Sequence, residues 1–137
     1  MQLTALQPKV WWQNYYFKAF VYGVGISFLF FIPFIIYDKG YFLFYGDFNV
    51  QQVPFYQMAH DAVSWTTDLG ANFIGSYSFY LLGSPFFWLT IPFPSAAVPY
   101  LMGPLLILKF GCASLTGYVY LKRYVQNQNF AVIGGML

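Results

Sequence analysis

Apolar positions in this chain form long unbroken runs, and one polar region separates them. From Ala19 to Tyr37 no residue carries a charge, and at ~1.5 Å per residue a helix over that run covers the hydrocarbon thickness of a bilayer. The pattern predicts a first transmembrane helix over 19–37, kinked near Pro33, whose ring removes one backbone bond and crowds the turn before it. Its far end, Phe34-Ile35-Ile36-Tyr37, lacks the small residues a signal peptidase needs, which favours an uncut anchor over a cleaved leader. Residues 1–18 set Lys9 and Lys18 among Trp11, Trp12, Tyr15 and Tyr16, a mixture suited to a cytoplasmic interfacial lead-in.

The polar region follows as a loop over 38–101, opening with Asp38-Lys39-Gly40, an aromatic patch at 41–45 and a Gly46-Asp47 turn. From Pro54, a favourable first helical residue, Phe55, Met58, Ala62, Trp65 and Leu69 recur at spacings of three and four. Gln57, Asp61, Ser64 and Asp68 repeat at the same spacing on the other side, so 54–69 reads as an amphipathic helix on the membrane surface, ended by Gly70. Beyond it the chain stays uncharged to Leu108 but is interrupted by many glycines and prolines. The piece from Phe79 to Phe93, with Pro85 and Pro92, is short for a span and reads as interfacial or re-entrant. A second transmembrane helix is expected over 102–121, ending before Lys122-Arg123. Gly111, Ala113, Ser114 and Gly117 give it small residues for close helix contact, and Lys109 must reach outward or face a polar interior. Residues 122–137 form a turn and then the apolar opening of a third span, cut short.

Composition reinforces the pattern: 7% of residues are charged, where about 25% is usual in soluble domains. Such a chain cannot cover a globular surface with polar groups, and lipid is its natural solvent. The expected fold is an all-α integral membrane protein, two transmembrane helices joined by an extracytoplasmic loop with interfacial helices. Its net charge of +2 is small, with no basic cluster and no phosphate-cradling glycine loop, so nucleic acid is not a partner. The single Cys112 excludes an internal disulfide. Lys9, Lys18, Lys122 and Arg123 flank the two spans while only Lys39 lies in the loop, which places both ends in the cytoplasm and the loop outside.

All four aspartates, at 38, 47, 61 and 68, and the only histidine, His60, lie in that loop. A carboxylate just outside a membrane helix could act as general base toward a hydroxyl or hold a divalent cation. The bland alternative is that these aspartates keep the loop wet. Asp61 and Asp68 lie near the same helix side but about 10 Å apart along the axis, too far for one ion to bridge. His60 alone offers no ligand set. Lys109 could neutralise a lipid phosphate or simply snorkel. No span carries an acidic residue or a histidine, which disfavours a channel or haem protein.

Several ordered words resemble the start of the YfhO family: Gly46-Asp47, Gln52-x-Pro54-Phe55-Tyr56, Leu69-Gly70-x-Asn72-Phe73-x-Gly75, Tyr80-Leu81-Leu82-x-Ser84-Pro85-Phe86, Phe93-Pro94 and Leu108-Lys109-x-Gly111. These bacterial multi-spanning proteins are similar to glycosyltransferases of the GT-C superfamily. The resemblance implies transfer of a sugar from a polyprenyl-phosphate carrier to a cell-envelope acceptor, such as lipoteichoic acid, on the outer face of the plasma membrane. It places Asp47 at the catalytic position, with Asp61, Asp68, Asn72, His60 and Lys109 as candidates for binding substrate. A divalent metal is an open possibility. Family members are several times longer, so a two-span segment is expected to be inactive without the rest of a parent chain or partner helices. The competing reading is a small non-enzymatic membrane protein that packs against another membrane protein through Gly111 and Gly117.

Overall fold

Asn14 starts the first helix: its side-chain oxygen accepts from the Tyr16 backbone N–H at 3.0 Å, satisfying one of the donors a helix start leaves open. In the computed structural model, which describes residues 14–41, 46–61 and 81–137, that helix, α1, runs Tyr15–Tyr37 and continues through Pro33. It begins before the run of uncharged residues because the cap and the interfacial tyrosines extend the helix past the apolar edge. A five-residue π-helical turn, Phe48–Gln52, leads into α2, Val53–Asp61. After it come a four-residue helix, α3, Pro85–Trp88, and a 3-10 turn, Ser95–Ala97. The second long helix, α4, is Val98–Leu121, and α5 is Gln128–Met136. Every described element is helical, and two helices, Tyr15–Tyr37 and Ser95–Leu121 with its 3-10 lead-in, are long and apolar enough to cross a membrane.

The chain divides into two compact units, and each long helix contributes one part to each. The first comprises residues up to Phe30 and from Ile107 onward. Here Ala19, Gly23 and Ser27, one turn apart on α1, are buried, while Val21, Tyr22, Ile26 and Leu29 are exposed. On α4 Gly111, Ser114 and Tyr118 are buried. A Cβ on Gly23 would lie 2.5 Å from that of Ser114, and one on Gly111 would clash with Val24, so only glycine permits this approach. The Ser114 hydroxyl crosses the seam and donates to the Ala19 carbonyl at 2.9 Å. Asn127 caps α5, accepting from the Asn129 N–H at 3.0 Å, and Gly135 then meets α4 so closely that a Cβ would sit 2.6 Å from the Tyr118 nitrogen. Of the four small residues expected to make helix contacts, Gly111, Ser114 and Gly117 do so within the chain; Ala113 is exposed.

The second unit, Phe31–Leu106, has its own apolar cluster. Val53 and Tyr56 of α2, Leu81, Phe87 of α3, and Val98, Met102 and Leu105 of α4 are buried together, with Phe31 and Ile35 of α1 packed against them. The described residues between 81 and 93 hold no helix longer than α3, far shorter than a span requires. The second half of the expected amphipathic helix, with its end at Gly70, lies outside the described residues.

Candidate functional site

Asp47 stands at the mouth of a helix. Gly46, with φ +59°, takes the left-handed conformation that glycine adopts without steric penalty. Its carbonyl accepts from Asn49 at 3.1 Å and Val50 at 3.0 Å, which opens the helical run leading into α2. The Asp47 side chain is exposed at this start. π-helical turns are rare and recur at functional sites, and one follows Asp47 directly.

One α-helical segment later, His60 is tied into the same unit. Its Nε2 lies 2.8 Å from Thr90 Oγ1, and Thr90 is fully buried. The Thr90 hydroxyl donates its only proton to the Phe87 carbonyl at 2.7 Å, so toward His60 it can only accept. His60 therefore donates from Nε2, and in the neutral ring Nδ1 is the unprotonated nitrogen. The ring also meets Phe87 edge to face, with centroids 6.3 Å apart. Nearby, Gln57 Nε2 donates to the Ser95 carbonyl at 3.3 Å. Burial pushes the Tyr56 phenol above its usual range, opposed by a hydrogen bond with the Ser84 side chain. The polar side of α2 thus bonds to the segment from Ser84 to Ser95, while Val53 and Tyr56 are its most buried residues.

The expected site residues fall in different places. Asp47 and His60 both belong to the second unit, before and near the end of one helical run. Asp61 ends α2; Asp68 and Asn72 lie outside the described residues. Lys109, half-buried on α4, belongs to the first unit. Among the described residues no group of three or more His, Cys, Asp or Glu side chains could hold a metal ion. Thr90 escaped the sequence reading because nothing local links it to a histidine 30 positions earlier. Tyr41 and Tyr100 escaped for the same reason: the Tyr100 phenol donates to that of Tyr41 at 2.8 Å, with ring centroids 4.6 Å apart.

No curated protein and no solved structure matches this sequence significantly. The family described as bacterial membrane protein YfhO does match, over residues 19–137, from within α1 through the Asp47 turn, α2 and α4 to the end of α5. That span covers most of the chain, and with its two apolar helices the protein belongs to the YfhO family of bacterial membrane proteins.

Proposed function

We propose that this chain forms the entrance portion of a membrane glycosyltransferase that moves a sugar from a polyprenyl-phosphate carrier to a cell-envelope acceptor, such as lipoteichoic acid, on the outer face of the membrane. The observation that carries this reading is the placement of Asp47 within the matched family region. Its carboxylate is exposed on a glycine-set helix mouth a short distance past the end of α1. In the proposed reaction Asp47 takes the proton from an acceptor hydroxyl as that oxygen bonds to the anomeric carbon. The bond from that carbon to the lipid phosphate oxygen breaks, and the phosphate leaves with the electron pair. His60, Asp61, Asp68 and Asn72 are proposed to line the sugar pocket.

The helix-packing alternative has less to stand on. It needs Gly111 and Gly117 on a face open to a partner, whereas Gly111 is closed by Phe20 and Val24 and Gly117 by Gly135. The discriminating experiment is Asp47→Asn in the full-length protein, with transfer measured from a lipid-phosphate sugar to envelope acceptor. Loss of a general base should lower transfer by about a hundredfold or more, with membrane insertion unchanged. Normal transfer by that variant would end the proposal.

A further inference from the structure

The first unit gathers cations at one end. Tyr16, in the first turn of α1, meets Tyr118 of α4 edge to face at 5.3 Å, which sets the start of α1 beside the end of α4. Lys122, just past α4, holds its ammonium 4.4 Å from the centre of the Tyr16 ring and donates to the Tyr16 phenol. Lys18 places its ammonium 4.9 Å from the Tyr15 ring centre. Arg123 follows Lys122 and is exposed. α5 also begins here, because the Tyr118 phenol donates to Gln128 at 2.8 Å, so the N-termini of α1 and α5 add their partial positive charge.

The first unit supplies no acidic side chain of its own to this group. All four aspartates, at 38, 47, 61 and 68, belong to the other unit, so the first unit contains basic residues and no carboxylate side chain. Both lysines lie over aromatic faces, and Lys122 also meets a phenol. They sit at the ends of two apolar helices of spanning length, the depth at which phospholipid phosphates lie.

We infer that this end of the first unit binds the phosphate of an anionic phospholipid headgroup, with Lys122, Arg123 and Lys18 as donors and Tyr15 and Tyr16 as the frame that orients the two lysines. The site requires no assumption about which side of the membrane it faces, and it does not rest on the transfer reaction. If these residues served only to orient the chain during insertion, the folded protein would not distinguish an anionic from a zwitterionic lipid.

The test is native mass spectrometry of the full chain in an uncharged detergent, with phosphatidylglycerol or phosphatidylcholine of identical acyl chains. Phosphatidylglycerol should bind preferentially, and the preference should fall about fivefold for each charge removed in Lys122→Gln, Arg123→Gln and Lys18→Gln. Lys39→Gln, in the other unit, should leave it unchanged, and circular dichroism confirms that each variant keeps its helices. Equal binding of the two lipids, or a preference that survives the triple substitution, would overturn the inference. Displacement of the lipid by inorganic phosphate would also overturn it, in favour of a soluble anion site.

Discussion

Single side chains carry much of what distinguishes this molecule from a generic pair of apolar helices. Gly135 is one: a methyl there would lie 2.6 Å from the Tyr118 nitrogen and 2.8 Å from the Ser114 carbonyl oxygen, and backbone cannot yield as a flexible side chain can. Gly135→Ala should destabilise the folded protein by about 1–3 kcal/mol, read by unfolding in mixed micelles. Ser114→Ala removes a bond across the helix seam and should lose only ~0.6 kcal/mol, because the unfolded chain in a membrane also finds partners. Tyr56 makes a pH prediction. Burial raises its folded pKa, so the unfolded chain ionises first as pH climbs through the ordinary tyrosine value near 10. Its contribution is therefore complete below that pH and lost above it, and Tyr56→Phe should flatten this part of the stability curve. Histidine-selective nitrogen NMR should find the neutral His60 ring protonated at Nε2, and Thr90→Val should remove that preference. The sequence made His60 a candidate, but its tautomer depends on a threonine proton already committed to Phe87.

At the scale of elements, the end of α1 is closed by two residues of positive φ, Lys39 at 54° and Gly40 at 94°. Gly40 donates to the Ile35 carbonyl at 2.8 Å and Lys39 to that of Ile36 at 3.2 Å, the two bonds of a Schellman motif with Lys39 at its left-handed position. Lys39→Gly should relieve this strain and stabilise the fold by about 1 kcal/mol, measured by the same unfolding assay, while Lys39→Val should do the reverse. Apolar continuity made both long helices legible, because length and scarcity of charge, one lysine in each, decide that question. Their starts were not legible: Asn14 lies among interfacial aromatics, so its cap, made by a side chain reaching two residues ahead, left no mark on the hydropathy pattern. For α2, the spacing identified a helix with one polar face. It could not show that Gln57 and His60 on that face bond to Ser95 and Thr90, since those partners are set by tertiary packing.

On the whole-molecule scale the chain divides into two units, each holding part of both long helices. The first is a packed helix seam built on small residues, with cations at one end. The second holds an apolar cluster beneath polar contacts and carries Asp47 at an exposed helix mouth. The proposed transfer on the outer face requires that mouth to lie outside the cell, and the positive-inside expectation puts the Lys122-Arg123 turn inside. Val50, 70% exposed and three residues from Asp47, reports on one side, and the exposed Gln126 reports on the other. The decisive measurement is labelling of Val50→Cys and Gln126→Cys, each in a Cys112→Ser background, with a membrane-impermeant maleimide on intact cells. The account predicts that position 50 labels at once and position 126 only after permeabilisation. Labelling at 126 in intact cells, with 50 protected until the membrane is opened, would contradict it.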